Sequence, residues 1–231
     1  MLLAREGAAQ PADSVPAGPA ATAATGTASA QSAAADRPVS IGLFGYVGTF
    51  SAAAAESFRA VLDKTSGFVF GGGGQVVVER GPLRGLFVEV DVSRFEETGE
   101  RAFVHDGQVF RLGIPLTVTM TPIEFTGGYR FTPRSRGTRA PFAVFGGGGI
   151  GSLQYREVSD FAEAGEDVDD RFTSYHVMGG LEFAIGGPVR IGAEGRYRWV
   201  PDGLGAGGVS EAFNETDLGG AMFRVRFGVA F

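Results

Sequence analysis

Residues 40–231 predict an all-β fold: an eight-stranded antiparallel up-and-down transmembrane β-barrel. Three observations predict it. The final stretch, DLGGAMFRVRFGVAF, alternates with period 2. Ala221, Phe223, Val225, Phe227, Val229 and Phe231 take one face; Gly220, Met222, Arg224, Arg226, Gly228 and Ala230 take the other. Successive strand side chains point to opposite faces, so this strand has a greasy side and an arginine side, as a strand between lipid and a polar lumen does. Second, the links between strands alternate long and short, the rhythm of a barrel with long outer loops and short inner turns. Third, 38 glycines accompany 20 phenylalanines, a pairing that suits coiled barrel strands around a crowded interior. No apolar run reaches the roughly 18 residues of a transmembrane helix, and lipid leaves open sheet edges unsatisfied, so a membrane chain of this kind must close on itself.

The first strand is 40–50, SIGLFGYVGTF. Residues 51–65 suit a short helical turn within a loop, with Ser51 as its cap. The second strand, 66–80, places Phe68, Phe70, Val76 and Val78 on one face around the tetrad Gly71–Gly74. A phosphate-cradling glycine loop needs a helix and a Lys-Ser/Thr next; Gln75-Val76-Val77-Val78 follows instead. In the third strand, 84–95, Leu86, Val88, Val90 and Val92 alternate with Phe87, Glu89, Asp91 and Ser93. Residues 96–110 hold two turn signals, Thr98-Gly99 and Asp106-Gly107, and read as a hairpin extension beyond the membrane.

The fourth strand is long, 111–132. Its apolar set sits on even positions through Leu116, Val118 and Met120, then moves to Ile123, Phe125, Tyr129 and Phe131. Such a slip turns side chains to the wrong face unless a bulge absorbs it, and Pro122, with no N–H to donate, suits a bulge. A tight turn at 120–122 is the alternative, but it makes nine strands and breaks the alternation of links. The remaining strands are 140–157, 171–186, 188–200 and 216–231. Tyr175, Val177, Leu181, Phe183 and Ile185 share one face of the sixth; in the seventh, Arg190, Glu194, Arg196 and Arg198 alternate with Val189, Ile191, Ala193, Tyr197 and Trp199. Long links then fall at 51–65, 96–110, 158–170 and 201–215, and short ones at 81–83, 133–139 and 186–187.

Residues 1–39, rich in Ala, Pro, Ser and Thr, have too little apolar substance to bury a core and read as a low-complexity leader, disordered or removed. Ala28-Ser29-Ala30 has the small-x-small form of a signal-peptidase site, though the apolar segment that should precede it is weak, so a signal peptide starting upstream of Met1 is the other reading. A net charge of −6 leaves no basic footprint for nucleic acid. The absence of cysteine excludes thiol chemistry and a disulfide scaffold.

On the terminal FRVRFGVAF, the fifth-strand segment APFAVFGGGGIGSLQY and the loop rhythm over 40–231, the chain resembles the small eight-stranded outer-membrane β-barrel family of Gram-negative-type bacteria. The resemblance implies a location in outer-membrane lipid, a monomer, and handling by the barrel-assembly machinery. In that family alternate terminal aromatics are the assembly signal, and Phe223, Phe227 and Phe231 stand at those positions.

With the apolar faces outward, the lumen receives Glu89, Asp91, Glu124, Glu182 and Glu194 together with Arg130, Arg190, Arg196, Arg198, Arg224 and Arg226. An eight-stranded barrel is just wide enough for side chains to fill, and lone buried charges are costly, so these eleven read as a salt-bridged plug rather than a narrow channel or an acid–base site. Asp167, Asp169 and Asp170, in the acidic loop 157–170, have the chemistry of a hard-cation site, but no EF-hand spacing; a solvated loop is the better reading. His176 shares a face with Ser174 and Glu182, a weak match to a hydrolytic constellation. Trp199, Tyr197 and Tyr155 read as an interfacial aromatic girdle. No cofactor, catalytic residue or metal is expected. The favoured function is a non-enzymatic barrel presenting acidic surface loops, in a structural, envelope-integrity or interaction role. A transport or binding barrel for a small or apolar ligand comes next, then a lipid-modifying enzyme, then a soluble ligand-binding barrel with its apolar faces inward.

Overall fold

The computed structural model describes residues 37–135, 138–139, 141–159, 161, 167–205 and 208–231. The chain runs β1 (Val39–Ala52), α1 (Ala55–Leu62), β2 (Ser66–Val78), β3 (Leu86–His105), β4 (Gln108–Phe131), the two-residue strands β5 (Arg134–Ser135) and β6 (Thr138–Arg139), β7 (Phe142–Val158), β8 (Val168–Gly186), β9 (Val189–Trp199), α2 (Gly208–Ala212) and β10 (Gly220–Ala230). Eight antiparallel strands close into a barrel in the order β1-β10-β9-β8-β7-β4-β3-β2. The ring shuts where β1 pairs with β10, from Gly42 opposite Ala230 to Ala52 opposite Gly220. Phe231 extends that seam: its N–H donates to Ile41 O at 2.9 Å and its carbonyl accepts from Ile41 N–H at 3.1 Å.

A belt of apolar side chains circles the outside, including Ile41, Leu43, Phe68, Phe70, Val88, Val90, Ile123, Phe125, Val177, Leu181, Phe223 and Phe227, all exposed. On β4 the outward run Ile123 to Phe131 covers about 26 Å of strand, which at a tilt of about 40° stands about 20 Å tall. With side-chain reach at both ends this approaches the ~25 Å apolar band of a membrane barrel. At the end bearing the long loops the same outward rows turn polar: Arg94, Glu96 and Thr98 on β3, Thr117, Thr119 and Thr121 on β4, Gln154 and Arg156 on β7. Trp199 and Tyr197 stand at this edge of the belt, their rings 4.7 Å apart, and Tyr175 pairs with Trp199 on the neighbouring strand. Tyr155 is not part of this girdle. It faces inward and is buried, because it shares the phase of Leu153 rather than that of Gln154.

The interior changes at the same height in the opposite sense. Phe50, Val69, Phe95, Leu116, Val118, Met120, Leu153, Tyr155, Val200 and Met222 pack with Phe58 and Leu62 of α1 into one apolar cluster that fills the long-loop end. This layer corrects the expectation at Pro122. The ladder passes Pro122 without a bulge: Thr121 opposes Gln154, Pro122 opposes Leu153 and Ile123 opposes Ser152. Even-numbered residues of β4 point inward from Leu116 to Arg130. What changes at Pro122 is the environment, apolar inside above it and apolar outside below it. The bulges lie elsewhere, between Glu100 and Ala102 and between Ala184 and Gly186.

Other boundaries move for local reasons. Ser51 is a residue of β1 and not a helix cap; α1 begins at Ala55 with Ala54 at the N-cap position, whose own side chain makes no capping bond. The 96–110 extension is a continuous two-stranded ribbon that turns only at Asp106-Gly107, both with positive φ. Thr98-Gly99 is strand, and a Cβ on Gly99 would stand 2.9 Å from Leu62 Cα, so the glycine lets α1 lie against β3. β8 starts at Val168, so Asp169 and Asp170 lie within a strand, while β10 starts at Gly220 because α2 occupies part of the preceding loop. Of the expected leader, only residues 37–39 are described, and Val39 already belongs to β1. Residues 1–36, Ala28-Ser29-Ala30 among them, lie outside the described residues, as do 136–137 of the link at 133–139 and 160 and 162–166 of the acidic loop.

Candidate functional site

Below the apolar cluster, eight of the eleven expected lumen charges meet in one buried layer. β9 delivers Glu194, Arg196 and Arg198, β10 delivers Arg224 and Arg226, β3 delivers Glu89 and Asp91, and β4 delivers Glu124. Period-2 alternation aims all of them inward. The residues pair across the barrel because adjacent strands hold them level: Arg224 opposes Glu194 and Asp91 opposes Glu124.

Arg196 stands at the centre. Its Nη1 donates to Asp91 Oδ2 at 2.9 Å and to Glu124, its Nη2 to Glu89 Oε1 at 3.3 Å and its Nε to Glu194 Oε1 at 3.2 Å. Arg224 reaches Asp91 at 3.2 Å, Glu89 at 3.3 Å and Glu194 at 2.8 Å. Arg226 grips Glu89 and Glu194 at 2.8 and 2.7 Å, and Arg198 Nε donates to Glu124 Oε1 at 2.8 Å. Four guanidinium groups meet four carboxylates, so the layer is neutral, and every member is buried. Charged groups are tolerable in such a place only when paired and hydrogen-bonded.

Aromatic faces complete the layer. The Arg224 guanidinium carbon lies 4.0 Å from the Tyr46 ring centroid and that of Arg226 3.8 Å from Phe44, both within cation–π range. The Tyr46 hydroxyl donates to Asp91 Oδ1 at 2.8 Å. Space for these large side chains comes from inward glycines: a Cβ on Gly48 would stand 2.8 Å from Arg224 Cα.

Arg130, Glu182 and Arg190 form a separate group nearer the short-turn end. Arg130 binds Glu182, and Arg190 Nε lies 3.7 Å from the same carboxylate. They are the more solvated members of the set, and the apolar cluster Val77, Phe87, Phe145 and Met178 lies at the same end of the lumen.

His176 belongs to the central layer, with a different acid from the one expected. Its Nε2 lies 2.8 Å from Thr126 Oγ1 and its Nδ1 3.5 Å from Glu124 Oε1; Glu182 is engaged by Arg130. The Ser174 hydroxyl has no hydrogen-bond partner among the described residues, so it makes no bond to the imidazole. Asp167, Asp169 and Asp170 do not converge. Asp167 accepts from Ser159 N–H at 3.2 Å, and Asp169 pairs with Arg156 at 3.3 Å and Gln154 at 2.8 Å. Tyr46 and Thr126 were not legible as members of the layer. The first strand's glycines blur its phase, and Tyr46 is identified only by the arginines of β10 beside it.

Phe223 and Phe227 point outward into the belt, and Phe231 is likewise exposed beyond the end of β10.

Comparison with known proteins agrees with this architecture. A family model described as an outer membrane protein beta-barrel domain matches residues 20–231. Among solved structures, a major outer membrane protein from Thermus thermophilus superposes with a TM-score of 0.54 at 9% identity, covering 84% of this chain and 99% of that one. Neisserial surface protein A gives 0.46 at 13% identity, covering 84% and 96%. Ail, the attachment invasion locus protein of Yersinia pestis, gives 0.45 at 16%, covering 84% and 99%. No curated protein matches the chain. An apolar belt outside, paired charges inside and a family match across nearly the whole sequence lead to one conclusion: the chain belongs to the outer membrane protein β-barrel domain family and resides in the lipid of the bacterial outer membrane.

Proposed function

We propose that the protein is a non-enzymatic, monomeric barrel with a sealed lumen, holding acidic loops at the cell surface for envelope integrity or surface interaction. The observation that carries this reading is the stacking of a neutral, buried eight-charge layer under an apolar cluster. An ion crossing it would have to break several charge-assisted hydrogen bonds and then shed its water among Phe50, Phe95, Met120 and Leu153. The eleven lumen charges thus act structurally: eight form a bolt across the barrel, and Arg130, Glu182 and Arg190 tie the wall nearer the short-turn end. The outward aromatic row Phe223, Phe227 and Phe231 serves as the segment read by the barrel-assembly machinery.

The test is conductance. Purified protein that shows heat-modifiable mobility on gels is reconstituted into planar bilayers. The expected record is a flat baseline at voltages where a porin control opens; reproducible unitary steps that vanish on disrupting the charge layer would overturn the sealed reading. The hydrolytic alternative predicts that His176→Ala abolishes a change in lipid A seen by mass spectrometry while the barrel still folds. The placement of Ser174, without a bond to His176 and beneath the apolar cluster, argues against that outcome.

A further inference from the structure

At the long-loop end, above the belt, α1, the β3–β4 ribbon, β7 and the β9–β10 loop border a cleft of about 440 Å³ that opens to solvent. Its size falls in the range of small-molecule sites, which are mostly apolar with a few placed polar groups. Phe58 and Leu62 of α1, Leu116 and Val118 of β4 and Val209 of α2 line it. Polar groups stand among them. Tyr155 donates its hydroxyl to Glu157, and both line the space. Arg101 lines it as well and matches the charge of Glu157 with the opposite sign. Ser57, 7% exposed, is a further lining residue, its hydroxyl turned away from the open space.

We propose that this cleft binds an uncharged single-chain amphiphile, an alkyl or aryl body with one hydrogen-bonding head, taken from solvent at the cell surface. The apolar walls accept the body, and the opposed charges of Arg101 and Glu157 favour a neutral head that can both donate and accept a hydrogen bond. Entry is from solvent because the outward rows between the cleft and the lipid belt are polar, Thr98, Thr117 and Thr119 among them. The site does not depend on whether the lumen is sealed.

The chain has no cysteine, so Leu112→Cys places a single thiol on an exposed lining residue, and Thr98→Cys places one on the outward face as a control. Each full-length variant in phosphatidylcholine nanodiscs is labelled with a maleimide in the presence of 1-decanol. Labelling of Leu112→Cys should slow saturably, about tenfold when decanol reaches ten times its Kd, as mass action requires. Thr98→Cys should be unaffected, and decanoate or decyltrimethylammonium should protect less. Adding Ala102→Trp, which fills the cleft from the ribbon, should remove the protection while the barrel stays heat-modifiable; Val209→Phe does the same from α2 should the first variant fail to fold. No protection up to the solubility limit, equal slowing of Thr98→Cys, or protection that survives both filled variants would overturn the site.

Discussion

Arg196 contacts four carboxylates, and the chemistry of the lumen turns on that arrangement. Replacing it with Met leaves Glu89, Asp91, Glu124 and Glu194 facing only three arginines in a dry layer. Removing one partner of a buried ion pair costs about 3–5 kcal/mol, so Arg196→Met should lower the unfolding free energy of the refolded barrel, read from its urea midpoint, by that much. Adding Glu124→Gln restores charge balance, and the double variant should be less destabilised than the sum of the singles. Strict additivity in the unfolding curves would mean that the two side chains do not interact. Gly48→Ala should also destabilise, since its Cβ meets the backbone carrying Arg224; a neutral result would show that the seam between β1 and β10 yields easily. At this scale the sequence was informative wherever alternation was clean. Seven of the eight charges in the central layer follow from clean alternation on β3, β9 and β10, Arg198 by the even phase of β9; Glu124 falls inward by local phase after Pro122, on the assumption of a bulge that the ladder does not contain. Tyr46 was not legible, because Gly42, Gly45 and Gly48 around it give the first strand no contrast between faces.

The eight barrel strands were legible in number and order, while α2, the short β5–β6 pair and the ends and mutual support of the elements were not. The slip of apolar residues at Pro122 illustrates why. Period-2 reading assumes one greasy side for the whole strand, and β4 has two, inward from Leu116 to Met120 and outward from Ile123 to Phe131. Passing the membrane edge exchanges which side is apolar, and a single sequence cannot tell that exchange from a register shift. Helix α1 shows the other limit. Its first turn is satisfied by Glu215, whose carboxylate accepts from Glu56 N–H at 3.0 Å and Ser57 N–H at 2.8 Å. Its last turn is held by Arg111, which donates to Ala60 O at 3.2 Å and Arg59 O at 2.9 Å. No local signal announces partners so remote in sequence. Glu215→Ala should therefore act as a cap deletion costing about 1 kcal/mol, felt in α1 and not in the barrel. Amide exchange at Glu56 and Ser57 should accelerate while the global urea midpoint holds; an equal loss in both would mean that α1 and the barrel unfold as one unit.

The barrel has two storeys, and its orientation against lipid makes the sharpest prediction. Within the belt the outside is apolar and the lumen charged; above it the outside is polar and the lumen apolar. Val88 and Thr98 lie on the same strand with the same outward phase, Val88 at 60% exposure opposite Gly127 and Thr98 opposite Thr117. By exposure alone an arginine should be welcome at either. With lipid against Val88, Val88→Arg should cost about 2–4 kcal/mol, the penalty for arginine on the lipid face near the bilayer midplane, whereas Thr98→Arg should be nearly neutral. Both are measured as reversible unfolding in phosphatidylcholine vesicles, where the bilayer has a fixed thickness. Repeating the comparison in short-chain micelles adds a control, because a thin, deformable apolar phase lets the arginine reach water and should shrink the difference. Equal costs at the two sites in vesicles would mean that the apolar belt is covered by something other than lipid. A large penalty confined to Val88 would fix the height of the membrane on the barrel, leaving α1, the β3–β4 ribbon and the amphiphile cleft standing clear of it.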